Sequence, residues 1–183
     1  MGRVVKNIII LALGLSLLTS CTKTTPREFI LYDFESESVL DAIHWKCHTL
    51  YSLSSSHAVH GKKSLKLEMF PSSYPGFSPF LKHHDWRDYK IFCFEVYNPL
   101  SENIRLVLRV DDKKQALEYS ERYNKSFTIV PGPNSVRIPF NTLKTSKTDR
   151  PLELENIYRF LVFMSHPDKK HVLYLDYFRL LKH

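Results

Sequence analysis

From Phe29 onward the apolar residues fall in short runs with a period near two. Ile104-Arg-Leu-Val-Leu-Arg-Val110 and Ser64-Leu-Lys-Leu-Glu-Met69 alternate apolar and polar positions, the pattern of a strand with one buried face. Residues 158–164 do not alternate, and that run predicts a strand covered on both sides or nearly so. Similar runs occupy 29–34, 47–53, 64–70, 77–82, 90–97, 104–110, 126–130, 135–140 and 172–181, bounded by Pro, Gly, Asn, Asp or Ser. One modest helix is predicted over 141–147, with Asn141 as N-cap. About ten short strands at this spacing predict an all-β domain, a β-sandwich or jelly roll.

The closing run, Val172-Leu-Tyr-Leu-Asp-Tyr-Phe-Arg-Leu-Leu181, holds one misplaced residue. Strict alternation puts Val172, Tyr174, Phe178 and Leu180 on one face, with Asp176 among them. A carboxylate in an apolar register is costly unless something pairs with it. The opening run also ends in carboxylates, Asp33 and Glu35. If the first and last strands lie together, Asp33, Glu35 and Asp176 can share a cation.

The N-terminus reads as a targeting segment. Arg3 and Lys6 precede an apolar run from Ile8 to Leu18, far short of the ~20 residues that span a bilayer. Leu18-Thr-Ser-Cys21 resembles the lipobox of bacterial lipoproteins. That resemblance implies a signal peptide over 1–20, acylation (palmitate among the acyl chains) at Cys21, and a tether over 21–28 ahead of a domain over 29–183. Acyl chains would supply the anchoring that the removed peptide no longer gives. Thr22 after the cysteine favours the outer membrane by resemblance to enteric sorting. Loss of Arg3 and Lys6 leaves 24 of the 26 basic side chains against 19 acidic ones, a formal +5. No block of five or six like charges occurs, so a nucleic-acid partner is not expected. Export permits a Cys47–Cys93 disulfide, although each cysteine equally suits a buried small apolar position.

Several segments together resemble the galactose-binding-like jelly roll of carbohydrate-binding modules. They are Phe34-Glu35, His57-Ala-Val-His-Gly-Lys-Lys-Ser-Leu-Lys-Leu67, Val96-Tyr-Asn-Pro99, Arg109-Val-Asp-Asp112 and Arg122-Tyr-Asn124. Pro131-Gly-Pro-Asn-Ser-Val-Arg-Ile-Pro139 and Leu173-Tyr-Leu-Asp-Tyr-Phe-Arg-Leu180 complete the set. The resemblance covers nearly the whole chain after the signal. It implies a structural calcium between the chain ends, held by Glu35, a carbonyl near Lys62, and Asp176, with Asp33 as an alternate ligand. It also implies a polysaccharide partner, although the same fold serves unrelated binding roles.

Sugar recognition needs flat aromatic faces and a few planar polar groups. The chain has 12 Phe, 10 Tyr and 2 Trp. The densest cluster runs from Tyr74-Pro-Gly-Phe77 to His83-His-Asp-Trp-Arg-Asp-Tyr89. In it Trp86 and Tyr89 are the candidate stacking residues; Trp86 also suits the plug at the end of a jelly-roll core, and Trp45 is expected in the core. A second candidate group is Arg109, Asp111, Tyr119 and Arg122. Arg109 and Asp111 share a strand face and fit either a ligand-facing pair or a structural ion pair.

His83-His84 points in opposite directions in extended chain, and the nine histidines lack zinc-site spacing. Neither a nucleophile-elbow motif nor a phosphate loop occurs. Asp85, Asp88, Asp111 and Glu118 could furnish paired carboxylates, but nothing singles them out. The expectation is therefore a lipid-anchored envelope protein that binds carbohydrate without cutting it. The alternatives are a structural or assembly lipoprotein that binds another envelope protein, and a small glycan-active hydrolase or lyase.

Overall fold

The computed structural model describes residues 27–114 and 118–182. The signal segment, Cys21 and most of the tether lie outside the described residues. Eleven strands form two antiparallel sheets. In the five-stranded sheet, β2 (Ile43–Cys47), β5 (Gly76–Pro79), β10 (Arg159–Phe163), β7 (Ile104–Asp111) and β8 (Tyr123–Ile129) lie side by side in that order. The six-stranded sheet runs β3 (Thr49–Ser54), β4 (Ser64–Met69), β11 (His171–Leu181), β6 (Ile91–Asn98) and β9 (Gly132–Pro139). Its sixth strand, β1 (Glu28–Tyr32), pairs with β11.

Alternation decides which face each strand buries. Phe92, Phe94 and Val96 of β6 and Leu65, Leu67 and Met69 of β4 point inward from one sheet. They meet Leu106, Leu108 and Val110 of β7 and Phe160 and Val162 of β10. As the unbroken apolar run predicts, β10 is the central strand of its sheet, and Phe160, Leu161 and Val162 are all buried.

The closing strand departs from strict alternation. β4 pairs with residues 171–175 of β11, and β1 pairs with residues 178–181. Between the two neighbours the β6–β11 register slips at Asp176/Arg179, and Tyr177 takes a left-handed φ of 53°. Such a bulge reverses the phase of the side chains. Leu173 and Leu175 therefore point inward before it and Phe178 and Leu180 after it, while Val172 and Tyr174 are only half buried. The single apolar face expected from the sequence is corrected accordingly. Phe178 then becomes the centre of the core, stacked on Phe94 at 4.7 Å and on Phe160 at 5.4 Å between ring centroids, with Phe34 and Phe77 edge-on.

Three local expectations differ from the structure. The run at 47–53 holds only the last residue of β2, Cys47, and most of β3, with the chain broken between them at His48, φ 41°. The expected helix at 141–147 is a single 3-10 turn, Phe140–Thr142. Cys47 and Cys93 are both free and lie on different sheets.

Trp86 fills the end of the sandwich. Its ring is fully buried against Phe92 and Phe140, and its Nε1–H donates to the His83 carbonyl at 3.0 Å. Trp86→Ala should cost about 3–5 kcal/mol through the cavity it leaves. A lowered denaturant midpoint at unchanged slope in urea unfolding checks this.

Candidate functional site

The outer face of the five-stranded sheet carries a cleft of about 680 Å³. Its floor follows from register. Phe163 lies opposite Val107 and Leu161 opposite Arg109, while Arg109 and Val107 face Asn124 and Ser126 on the other side. All are outward positions of strands whose alternate residues fill the core. Arg105, two positions before Val107, extends the same row. Gly76 sits beside Phe163, and a Cβ there would lie 2.3 Å from the Val162 carbonyl oxygen. No larger residue fits this approach of β5 to β10.

Aromatic rings stand at the margins. Trp45, on edge strand β2, is half buried, while Tyr74 is 51% and Tyr119 54% exposed. Tyr74 is set by edge contacts with Phe163 and His166. Tyr119 belongs to the β7–β8 connection, which is tied down from beneath. Buried Asp112 accepts two bonds from Arg150 and one from the Glu153 amide, and the Arg122 carbonyl accepts from the Ser146 amide and hydroxyl.

Asp111 is fully buried below the cleft at one end. Its Oδ1 accepts from Arg109 Nε at 2.7 Å, and its Oδ2 from Arg109 Nη2 at 2.6 Å and Arg159 Nε at 2.7 Å. A bidentate pair of this kind orients a guanidinium. Asp111 is thus a positioning residue, engaged on both oxygens. Arg122 is held below the usual guanidinium pKa by burial and by repulsion from Arg109 and Arg159.

Of the expected ligand-binding residues, Arg109, Tyr119 and Arg122 come together in the cleft and Asp111 supports Arg109 from below. Trp86 and Tyr89 do not join them. Trp86 is core, and Tyr89 packs against Phe29 and His83. The 74–89 aromatic cluster divides, with only Tyr74 reaching the cleft. Trp45, expected in the core, lines the cleft instead because β2 is an edge strand. Arg105 was legible as the outward partner of Arg109 four residues along β7. Asp85 pairs with Arg87, and Asp88 is exposed outside the cleft lining.

At the opposite side of the sandwich, Glu35 and Asp176 clasp the 57–63 loop. Glu35 Oε1 accepts the amides of Lys62 and Lys63, each at 2.8 Å, and these hold the carboxyl below its ordinary range. Asp176 Oδ2 accepts the amides of Val59 and His60 at 2.7 and 2.9 Å, and Oδ1 accepts that of Tyr177 at 2.7 Å. Burial pushes the Asp176 carboxyl upward against the pull of those amides. Gly61 permits the approach, since a Cβ there would lie 2.4 Å from the Glu35 carboxyl carbon and φ is +68°. Asp33 turns back to the Glu35 amide at 3.4 Å.

Calcium takes six to eight oxygen ligands. Here the loop turns N–H groups toward both carboxylates, Lys62 included. Among the described residues no group of three or more His, Cys, Asp or Glu gathers as a metal cluster. As arranged, these residues do not match the oxygen cage expected from the resemblance.

No family model matches the sequence, and no curated protein matches it. Solved structures share its fold. A family 11 carbohydrate-binding module from Clostridium thermocellum, described in complex with a β-1,3-1,4-mixed-linked tetrasaccharide, superposes with a TM-score of 0.65 at 16% identity. That match covers 86% of this chain and 97% of the module. An exo-β-agarase matches with a TM-score of 0.68 at 19% identity, over 84% of this chain and 25% of the enzyme. The CBM22-1 xylan-binding domain of Paenibacillus barcinonensis Xyn10C matches with a TM-score of 0.55 at 14% identity, over 87% of this chain and 99% of the domain. The chain therefore has the jelly-roll fold of carbohydrate-binding modules.

Asp176→Asn sets an amide NH2 against the loop N–H donors or against that of Tyr177, a cost of about 1–3 kcal/mol. A lowered melting temperature, equal in chelator and in added calcium, is the expected result. A melting temperature that falls in chelator for the unsubstituted protein would instead place a cation between Glu35 and Asp176.

Proposed function

We propose that this protein binds carbohydrate, without cleaving it, in the cleft over the five-stranded sheet. The observation that carries this reading is the pairing of exposed rings with a planar polar floor. Tyr74, Tyr119 and Trp45 offer flat faces to the apolar side of a sugar ring, while Arg105 and Arg109 offer donors for hydroxyls. The shared fold with modules described as bound to a mixed-linked glucan oligosaccharide or as xylan-binding agrees with this use. Asp111, fully buried and ion-paired to two arginines, is poorly placed to act as a general acid.

The same reading holds the domain at a bacterial envelope membrane through an acylated Cys21, facing glycans at the outer membrane. Its support is the N-terminal sequence alone, since Cys21 lies outside the described residues.

Tyr74→Ala and Tyr119→Ala should each weaken binding by about 1–2 kcal/mol, roughly five- to thirtyfold, with little change in stability. Affinity electrophoresis over a polysaccharide panel measures this; no retention of the unsubstituted protein on any polysaccharide would sink the reading. A reducing-sugar assay on the retained polysaccharide is expected to give no product. Metabolic labelling with an alkyne-bearing palmitate should mark the full chain and be abolished by Cys21→Ser, which should also release the protein from the membrane fraction.

A further inference from the structure

Three arginines, Arg105, Arg109 and Arg122, line the cleft, and no carboxylate is among its described lining residues. Arg159 adjoins Arg109 through the carboxylate that they share, Asp111. Facing these four guanidiniums are Asp111 beneath and Glu118 beside Arg122. Among the described residues, four positive groups against two negative ones leave the cleft with an excess of positive charge at any pH where carboxylates are ionised. Burial first, and then repulsion from Arg109 and Arg159, lowers the pKa of Arg122 against the pull of Asp111 and Glu118. Concentrating guanidiniums in a partly dry cleft is unfavourable without an anion to offset it. A neutral glycan needs no such excess.

We infer that the ligand is an acidic polysaccharide, whose carboxylates or sulfate esters sit on the cleft arginines while its rings stack on Tyr74, Trp45 and Tyr119. This rests on the carbohydrate-binding reading and names its substrate class. The arrangement suits a polymer rather than a single small anion. Arg105 and Arg109 project from the same face of β7 four residues apart, about 13 Å at the usual strand rise. The aromatic rings stand toward both ends, with Tyr74 beside Phe163 and Tyr119 in the connection that carries Arg122. Acidic groups spaced along a chain can meet both ends of this row, while the sugar faces between them rest on Val107, Leu161 and Phe163. Arg109 is held in orientation by its two bonds to Asp111, which engage its Nε–Nη2 edge.

Isothermal titration calorimetry on the purified protein tests this with paired probes. Oligogalacturonate is compared with its methyl ester, and a sulfated galactan with its desulfated form. Mixed-linked glucan serves as the neutral control and single-stranded DNA as a competing polyanion. The expected result is binding about tenfold or more tighter to at least one acidic glycan than to its neutral counterpart, and the pair that shows it tells carboxylate from sulfate. Arg105→Gln should remove about tenfold of that preference, weakening the acidic member of the pair more than its neutral counterpart. Arg137→Gln, on the outer face of the other sheet, should leave both unchanged. The preference should also shrink toward ~1 M salt, where the screening length falls to about 3 Å.

Equal affinity for acidic and neutral members of both pairs overturns the inference while leaving carbohydrate binding intact. No binding to any glycan overturns both. An equal loss in Arg137→Gln marks attraction of a basic protein to any polyanion, and tighter binding to DNA than to every glycan points to a nucleic-acid groove. Either result overturns the acidic-glycan inference.

Discussion

The sandwich depends on the point where β11 changes neighbours. One long strand serves β4 over its first half and β1 over its second, with β6 along its other edge. The bulge between those halves leaves backbone that no neighbouring strand satisfies, and Asp176 stands there. Its carboxylate accepts three amides, two of them from the 57–63 loop more than a hundred residues away in sequence. Glu35 takes two more amides from the same loop. The N-terminal strand, the loop and the C-terminal strand are thereby joined by hydrogen bonds to ionised acceptors, which are stronger than neutral ones. Tyr177 reinforces the joint: its ring stacks on His60 and carries the Arg179 guanidinium 4.0 Å from its centre, and its hydroxyl donates to Glu28.

The phase change at that bulge has a consequence across the core. It turns Phe178 inward, where its ring meets five other phenylalanines drawn from both sheets and from the segment after β1. With the sheets joined through that aromatic centre, the outer face of the five-stranded sheet is released from packing. Its outward row of Arg, Val and Asn side chains becomes the floor of a cleft.

Charge within the cleft follows one rule, that a buried carboxylate must be paired. Asp111 accepts from Arg109 and Arg159, and Asp112, the next residue, accepts from Arg150. Adjacent residues at a strand end point opposite ways. One pair therefore stiffens the cleft and the other ties the connection bearing Tyr119 to the 143–152 segment. Burying these two acids leaves the arginines, not the aspartates, lining the cleft.

The alternating pattern of 104–110 and 64–69 was enough to assign their strands and inward faces, because one-sided burial imposes period two directly on sequence. Continuous apolar character at 158–164 likewise marked the central strand. Arg109, Tyr119 and Arg122 were legible as a group because they flank one hairpin, β7–β8. Other features were not local. The bulge at Asp176–Tyr177 breaks alternation by adding a residue, and the run 172–181 marks it only by the misplaced Asp176. Trp45 lines the cleft and Trp86 plugs the core because β2 is an edge strand while the loop of Trp86 crosses the open end of the sandwich, and strand order is a property of the whole sheet. The carboxylates of Glu35 and Asp176 were recognisable as a pair joining the chain ends. Whether they face oxygens or amide N–H groups depends on how the 57–63 loop turns, and that turn is set by contacts between segments far apart in sequence.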